Sequence, residues 1–331
     1  IQKDLDDGID TIGKKMTVCQ LYAKQIRHRG NVRYNTKNGR KRLMKLLEED
    51  KLGGCPIDSV KLSDAKEWAI RMKEKGISYK TISNDKRSLK AAFYTAIQDD
   101  CIRKKPFDFQ LNTVIEDDTE PKVPLTPAQE ESFLSFAQND KVYQKYYDEL
   151  IILLGTGLRI SELCGLTDTD INFENRIINV DHQLLRSAET GYYIETPKTK
   201  SGIRQIPMSE KVYEAFNRVL KRRRGAKAVT IDGYSNFLFL NRDGYPKTAT
   251  NYDGMFRGLA KKYNKYHEEA LPKVMTPHTL RHTFCTNMAN AGMNPKALQY
   301  IMGHSNITMT LNYYAHATFD SAKAEMLRIA A

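Results

Sequence analysis

Apolar residues recur at intervals of three or four along most of the first hundred positions, which is the spacing of one face of an amphipathic helix. In the first such segment, Val18, Leu21, Tyr22 and Ile26 share a face, and a basic run precedes Gly30. This periodicity predicts four helices, which run from Thr17 to 29, from about Thr36 to Lys51, from a cap at Ser63 to Gly76, and from Tyr79 to about Asp99. Little strand pattern interrupts them, so residues 16–115 are predicted to form a helical domain.

The composition changes between residues 112 and 124, which are acidic and contain prolines. We therefore predict a linker or tail at 1–15, the helical domain at 16–115, a linker at 116–124, and a second domain with a C-terminal tail at 125–331. Thr126, Pro127 and Gln129 form a helix-start signature at the beginning of the second domain. Further helices are predicted near 127–138, 143–154, 209–224, 250–268 and 294–302, and another begins at Pro277 with Phe284 and Met288 on its buried side.

Strand patterns are confined to the second domain, at 176–181, 192–196, 204–207 and 237–240. Residues 197–202 contain Gly202 and are short enough to join 192–196 and 204–207 as a hairpin, with Lys198 and Lys200 at its tip. The predicted fold is mainly α with a small antiparallel β-sheet, divided between two domains.

The bulk composition excludes several classes of protein. Hydrophobic residues make up 40% and charged residues 28%, and neither an apolar run of the ~18 residues needed to cross a membrane nor a signal peptide is evident. The five cysteines are widely spaced and form no CxxC pair, which favours a reducing cytoplasm over a disulfide framework or a zinc ribbon. Because the chain begins with Ile1 rather than Met, we expect an N-terminal segment to be missing.

The net charge of +12 is unevenly distributed. Residues 1–115 carry 25 Lys and Arg against 15 Asp and Glu, whereas the other 216 residues carry 27 against 25. A basic N-terminal third is typical of proteins that bind a polyanion such as DNA, although solubility alone also accounts for such charge. The candidate phosphate contacts in this region are Arg40, Lys41, Arg42, Lys80, Lys86, Arg87 and Lys90.

A second basic run, Arg222, Arg223 and Arg224, closes a predicted helix of the second domain. It is either a favourable helix end or a further nonspecific DNA contact.

An unusual set of polar residues lies between Met275 and His316. Thr276 and Pro277 predict a helix start, so His278 and Arg281, three residues apart, share a face in its first turns. Gly303 ends the next predicted helix and is followed by His304. A zinc site is the alternative, since His278 and His282 are spaced four apart, but no Glu follows His278 and no third ligand is evident.

Arg159 lies between Leu158 and Ile160, after two glycines that end an apolar helix. An arginine in such apolar surroundings requires an anion. Either an internal salt bridge, for instance to Glu162, or a substrate phosphate would satisfy it.

These residues together resemble the tyrosine recombinases, also called the phage integrase family, and most of all the integrases of conjugative transposons. The family pattern is an arginine box, a lysine on a β-hairpin, an H-x-x-R box, a Gly-His pair and a nearby tyrosine. The corresponding residues here are Arg159 within Thr156–Leu163, Lys198, His278 with Arg281, Gly303 with His304, and Tyr313.

The resemblance implies a helical domain that binds the core DNA site and a catalytic domain, which together clamp DNA. It also implies a reaction without cofactor, metal or ATP. Tyr313 would attack a phosphodiester, Arg159 and Arg281 would hold the phosphate, and His278 and His304 would donate hydrogen bonds or assist proton transfer. Lys198 would protonate the leaving oxygen, and His282 is expected to be structural.

Two assignments are ambiguous. Lys200 lies close to Lys198, which we prefer because the family lysine is usually the first of such a cluster. Tyr314 neighbours Tyr313; Ile307, Leu311 and Tyr314 are predicted to share an apolar helical face, which leaves Tyr313 as the nucleophile.

The resemblance further implies a homo-tetramer on paired DNA sites in the bacterial cytoplasm, assisted by an excisionase or by host DNA-bending factors. The apolar tail from 320 to 331 is expected to dock on a neighbouring protomer, or else on its own domain. The alternative functions are a type IB topoisomerase and a catalytically inactive DNA-binding regulator.

Overall fold

The structure is a computed structural model that describes residues 15–30, 32–120, 123–223, 229–314 and 326–327. The chain divides into two compact units, Ile1–Pro121 and Lys122–Ala331. The division falls after Pro121, and the assignment of 116–124 as a linker stays a prediction, as does the clamp around DNA. No helix in the described ranges is long and apolar enough to span a bilayer.

The N-terminal unit is built from four helices, α1 (Val18–His28), α2 (Tyr34–Glu48), α3 (Leu62–Glu74) and α4 (Tyr79–Gln98). Their apolar faces meet around three aromatic rings, Trp68, Phe93 and Phe107. The centroid of the Phe107 ring lies 5.9 Å from that of Trp68 and 5.3 Å from that of Phe93. Thr17 caps α1 in a reciprocal capping box with Gln20.

Ser63 does not cap α3, contrary to the sequence prediction. The helix begins at Leu62 with Lys61 as its capping residue, two positions before the predicted cap, and the Asp64 carboxylate accepts a hydrogen bond from the backbone N–H of Lys61 at 2.8 Å. An acidic side chain in the first turn thus bonds back to the N–H of the capping residue, where the sequence predicted a serine that accepts from an N–H within the helix.

The C-terminal unit contains eight described helices and five short strands. The helices are α5 (Pro127–Asn139), α6 (Tyr147–Thr156), α7 (Ile160–Gly165), α8 (Glu210–Arg223), α9 (Ala249–Tyr266), α10 (Pro277–Asn290), α11 (Pro295–Met302) and α12 (Thr308–Leu311). The apolar helix α6 lies at the centre and packs against both α8 and α10. The site residues described below project from the ends of these central helices.

The strands are β1 (Ile171–Asn172), β2 (Ile177–Val180), β3 (Gln183–Ser187), β4 (Gly191–Glu195) and β5 (Arg204–Pro207). They form two antiparallel sheets, ordered β1-β2-β5 and β3-β4. Ile178 lies opposite Ile206 in the first sheet, and Leu185 lies opposite Tyr193 in the second. The mainly α fold with small antiparallel sheets is confirmed.

The predicted pairing of 192–196 with 204–207 is wrong. β4 pairs with β3, across a turn that Gly191 closes with a positive φ of 71°, and β5 pairs with β2. Residues 197–202 therefore connect two sheets and are not the tip of a hairpin. Residues 237–240 contribute isolated bridges, at Phe237 and Leu240, and not a strand.

Candidate active site

Arg159 lies where α6 gives way to α7. Gly157 ends α6 with a φ of 63°, and a Cβ at this position would lie 2.4 Å from the Phe284 ring, so glycine fits both the turn and the packing. Arg159 then adopts extended backbone at the start of α7. Its guanidinium donates to Glu162 Oε1 at 2.7 Å and to the Gly303 carbonyl at 3.0 Å, and about a third of its side chain (32%) stays exposed.

Arg281 is buried on α10, with 5% of the residue exposed. Its two terminal nitrogens donate to the carbonyls of Gly157 and Met302, each at 2.5 Å. One guanidinium thus fixes both the turn before Arg159 and the end of α11. The fork geometry of arginine makes such a double contact possible, and lysine would not reproduce it.

His304 follows Gly303, which ends α11 in the left-handed conformation. The imidazole is buried, and its Nδ1 lies 3.0 Å from the Thr310 hydroxyl of α12. Among the described residues, Nε2 has no hydrogen-bond partner. That nitrogen is the one free to meet a substrate.

The carboxylate of Glu162 is surrounded by arginines. Arg204, whose side chain is fully buried, donates to both Glu162 oxygens, at 3.1 and 2.8 Å. Burial alone would raise the pKa of Glu162, but the hydrogen bonds and charge of Arg204, with the charge of Arg159, lower that pKa to about 2. The single carboxylate is therefore ionised at neutral pH.

Three guanidinium groups act on that one carboxylate, those of Arg159 and Arg204 through hydrogen bonds and that of Arg281 through its charge. Burial, with the charge of Arg159, lowers the pKa of Arg281 to about 9. Burial and the same arginines lower the pKa of His304 to about 4, so its ring is neutral at neutral pH. The site carries an excess of positive charge, which an anion such as a phosphate would balance.

Tyr313 and Tyr314 are both half-buried and pack against the small apolar cluster that contains Phe284 and Met302. The Tyr314 hydroxyl donates to the Met293 carbonyl at 2.5 Å. The Tyr313 hydroxyl has no hydrogen bond among the described residues, and its ring lies 4.8 Å from that of His282. Burial raises the pKa of Tyr313, with Cys285 acting in the same direction and Arg281 against it, so its phenol is protonated in the free protein.

The apolar helical face predicted for Tyr314 is not present. α12 ends at Leu311, before either tyrosine, and Leu311 is 44% exposed. The two tyrosines differ instead in their hydroxyl groups, since that of Tyr314 is held by the backbone.

His278 and Lys198 have exposed side chains. His278 lies in the first turn of α10, one turn before Arg281, and Lys198 lies in the segment 197–202 between β4 and β5. Lys200 is exposed in the same segment, so exposure does not separate the two lysines.

The predicted DNA-binding residues differ in their surroundings. Several are engaged within the protein: Arg42 bonds to buried Asp85, Lys86 to the Phe109 carbonyl, Lys90 to Asp108, Arg222 to Asp148, Arg223 to the Phe237 carbonyl, and Arg40 to the Arg29 carbonyl. Lys41, Lys80 and Arg87 are exposed on α2 and α4, and Arg87 also donates to the Asn84 side-chain oxygen at 3.3 Å. Arg224 lies outside the described residues.

Sequence reasoning missed Arg204 as a member of the site and considered Glu162 only as a salt-bridge alternative. The alternation of β5 contained a signal, because a strand places Arg204 on the same inward face as Ile206. A charged residue on that face requires a buried partner.

One group of side chains in the described ranges is close enough to hold a metal ion, namely Asp170, Asp181 and His182. His182 Nε2 lies 2.8 Å from the Gly165 carbonyl and Nδ1 lies 2.5 Å from Asp181. Both ring nitrogens thus already lie within hydrogen-bond distance of oxygen atoms of the protein.

Comparisons with known proteins agree with this geometry. The profile of the phage integrase family matches residues 124–321. The transposase of transposon Tn916 from Enterococcus faecalis is 68% identical over 329 residues, covering 99% of this chain and 81% of the relative.

Two solved structures of the Tn1549 transposon integrase are also similar. A variant with arginine replaced by lysine, bound to a circular intermediate DNA, matches with a TM-score of 0.91 at 78% identity, covering 95% of this chain and 99% of that one. A variant with tyrosine replaced by phenylalanine, bound to transposon right end DNA, matches with a TM-score of 0.90 at 78% identity, covering 96% and 100%. The chain therefore belongs to the phage integrase family and is a tyrosine-type site-specific DNA recombinase.

Proposed function

We propose that the chain cuts and rejoins DNA at the ends of a mobile element through a covalent 3′-phosphotyrosine intermediate. The related Tn1549 integrase is bound to transposon end DNA and to circular intermediate DNA, which supports the same class of substrate here. Integration and excision both require such strand exchange, and the two directions use the same chemistry.

The observation that carries the proposal is the unbalanced charge around Glu162. A scissile phosphodiester supplies the missing negative charge. The exposed part of Arg159 and the remaining N–H groups of Arg281 would hold its non-bridging oxygens, and Nε2 of neutral His304 would donate a hydrogen bond to it. These cations do what metal ions do in many other phosphoryl-transfer enzymes.

In the cleavage step, the bond between Tyr313 Oη and phosphorus forms while the bond between phosphorus and the 5′ oxygen breaks. Tyr313 gives up its proton during the attack, for which His278 is the candidate acceptor, and Lys198 gives a proton to the leaving 5′ oxygen. The reverse step, with the 5′-hydroxyl of a partner strand, restores the phosphodiester. One ester replaces another, so the reaction requires no ATP.

Two observations support Tyr313 over Tyr314 as the nucleophile. The hydroxyl of Tyr314 is held by Met293, whereas that of Tyr313 lies within the field of Arg281. In addition, the arginine and the tyrosine replaced in the two Tn1549 structures are separated by the same number of positions as Arg159 and Tyr313.

Nicked core-site duplexes test the proposal, because the cleaved end diffuses away and the covalent complex accumulates. We expect Tyr313→Phe to abolish the covalent adduct and the matched variant Tyr314→Phe to retain it. An adduct that survives in Tyr313→Phe would refute the assignment. Relaxation of supercoils without a partner site would indicate a type IB topoisomerase, and the absence of any adduct in the wild type would indicate an inactive regulator.

We further propose that four copies act on paired core sites in the bacterial cytoplasm, with an excisionase or host DNA-bending factors as accessory partners. Strand exchange between two duplexes requires four cleavages and hence four active sites. Native mass spectrometry of the protein on paired sites would test the stoichiometry.

A further inference from the structure

Arg204 is a fully buried arginine that no role in the proposed reaction yet explains. Its side chain has 0% exposure and uses all three of its nitrogens. Burial of a guanidinium is costly unless every donor is satisfied, so the hydrogen bonds of Arg204 show what holds it in place.

Those hydrogen bonds reach three separate segments of the catalytic unit. Both terminal nitrogens bond to Glu162, which in turn holds Arg159. Nε donates to the Ile301 carbonyl at 2.6 Å, three residues before His304. Nη1 also donates to the Gly202 carbonyl at 3.0 Å, at the end of the segment that carries Lys198.

The contacts around this arginine are tight. A Cβ on Gly303 would lie 3.0 Å from the Ser201 carbonyl oxygen and 3.1 Å from Arg204 Nη1, at a φ of 60°. A Cβ on Gly202 would lie 2.3 Å from Pro197 Cβ. The segment 197–202 therefore packs against the turn that presents His304, and the Arg204 side chain contacts both of them.

We propose that Arg204 is a positioning residue that fixes the segment 197–202, and with it the general acid, relative to the phosphate site. The inference rests on the proposed function, in which a lysine of this segment protonates the leaving 5′ oxygen. Without Arg204, the backbone that carries the exposed lysine would no longer be held at a fixed distance from that oxygen. Arg159 would still keep Glu162 as a partner.

The chemistry of the leaving group separates this role from a purely structural one. When the P–O5′ bond breaks, the 5′ oxygen must receive a proton. A bridging 5′ sulfur leaves as a stable thiolate and needs no proton. A defect caused by a misplaced acid is therefore suppressed by a 5′-phosphorothiolate substrate, whereas a defect in phosphate binding is not.

The experiment compares cleavage rates on oxygen and sulfur versions of one nicked duplex. The test variants are Arg204→Lys, which keeps the charge but loses the fork, and Gly202→Ala, which displaces the segment and leaves Arg204 in place. The control variants for the general acid are Lys198→Ala and Lys200→Ala. The control for binding of the phosphate is Arg159→Lys. Thermal unfolding and DNA binding are measured for each variant.

We expect Arg204→Lys and Gly202→Ala to cleave the oxygen substrate on the order of 100-fold more slowly, as misplaced catalytic groups do, and to recover most of the rate with sulfur. Lys198→Ala should recover in the same way, and Arg159→Lys should not. If the cleavage rate of Lys200→Ala, and not that of Lys198→Ala, recovers with the sulfur substrate, the acid is Lys200. Recovery of the rate in Arg204→Lys would still support the inference in that case.

Two results would overturn it, and they are distinguishable. If a lysine variant recovers with sulfur and neither Arg204→Lys nor Gly202→Ala does, the positioning role is refuted while the proposed function stands. If neither lysine variant recovers, the acid assigned in the proposed function is wrong, and the inference fails with it.

Discussion

At the level of single residues, the pKa of His304 depends on the charge of the site. Burial and three arginines lower its pKa to about 4, below the ordinary value for histidine. A bound phosphate would reverse part of this effect, because its negative charge favours the imidazolium. The occupancy of the site should therefore be visible in the titration of one imidazole.

We predict that an oxyanion such as vanadate raises the pKa of His304. NMR titration of histidine-labelled protein checks it, with His304→Gln identifying the resonance. Because the complex would bind a proton more tightly than the free protein, vanadate affinity should also increase as the pH falls from 7 towards 5. An unchanged titration midpoint at saturating vanadate would contradict this account of the charge.

Glu162 is the second residue whose titration has a predictable sign. Its pKa in the folded protein is about 2, below the ordinary value of 4.5, so its ionised form is stabilised by folding. This contribution, about 3–4 kcal/mol at ~1.4 kcal/mol per pKa unit, is fully present above pH 4.5 and is lost as the pH falls towards 2.

Glu162→Gln should therefore lower the free energy of unfolding by about 3–4 kcal/mol at pH 7, because it leaves buried guanidinium groups without a counter-ion. It should also remove the corresponding loss of stability between pH 4.5 and 2. Urea unfolding at several pH values measures both effects. Sulfate should stabilise the variant more than the wild type, and an equal sulfate effect on both proteins would argue against an anion site.

At the level of elements, basic residues on helices α2 and α4 have different surroundings, which leads to different predictions for their substitution. Arg42 donates to both oxygens of Asp85, at 2.5 and 2.7 Å, and Asp85 is buried. Burial raises the pKa of Asp85 even though Arg42 opposes it. Lys80 and Arg87 lie exposed on α4 itself.

We predict that Arg42→Ala destabilises the N-terminal unit by about 1–3 kcal/mol, discounted because Arg42 is partly exposed. Lys80→Ala and Arg87→Ala should leave the unfolding midpoint unchanged. They should each weaken DNA binding and reduce the slope of log affinity against log salt by about 1. Fluorescence anisotropy at several salt concentrations tests this, and a salt slope unchanged in both variants would exclude them as phosphate contacts.

The elements also show what the sequence can and cannot predict. Helices were predicted well where an apolar face repeats every three or four residues, as around Leu21 and Leu89, because that pattern is local. The pairing of β4 was predicted wrongly, because all its residues are partly buried and show no alternation that would identify a partner. Arg204 was missed for a related reason, because the Ile301 carbonyl that holds it lies 97 positions away in the chain.

At the level of the whole molecule, the uneven charge indicates different DNA contacts for the two units. The excess of Lys and Arg lies in residues 1–115, whereas the buried guanidinium cluster belongs to the C-terminal unit. Phosphate contacts that carry no sequence information would come mainly from the first, and the reacting phosphate would be held by the second. Assembly into a tetramer requires a further surface, for which the C-terminal tail is the candidate.

The tail from 320 to 331 lies outside the described residues except for Met326 and Leu327, which are 74% and 63% exposed. Burial of two such side chains on a neighbouring protomer would contribute roughly 3–5 kcal/mol. We predict that deletion of 320–331 impairs tetramer formation on paired sites, while binding to a single core site and adduct formation on a nicked duplex are retained.

Light scattering on paired-site DNA measures the assembly, and Met326→Ser with Leu327→Ser tests the apolar contact without shortening the chain. If the tail instead packs on its own unit, both changes should lower the unfolding temperature and leave the stoichiometry on DNA unaltered. Because a contact in trans is lost on dilution and a contact in cis is not, repeating the unfolding measurement over a range of protein concentrations, with paired-site DNA kept in proportion, separates the two arrangements.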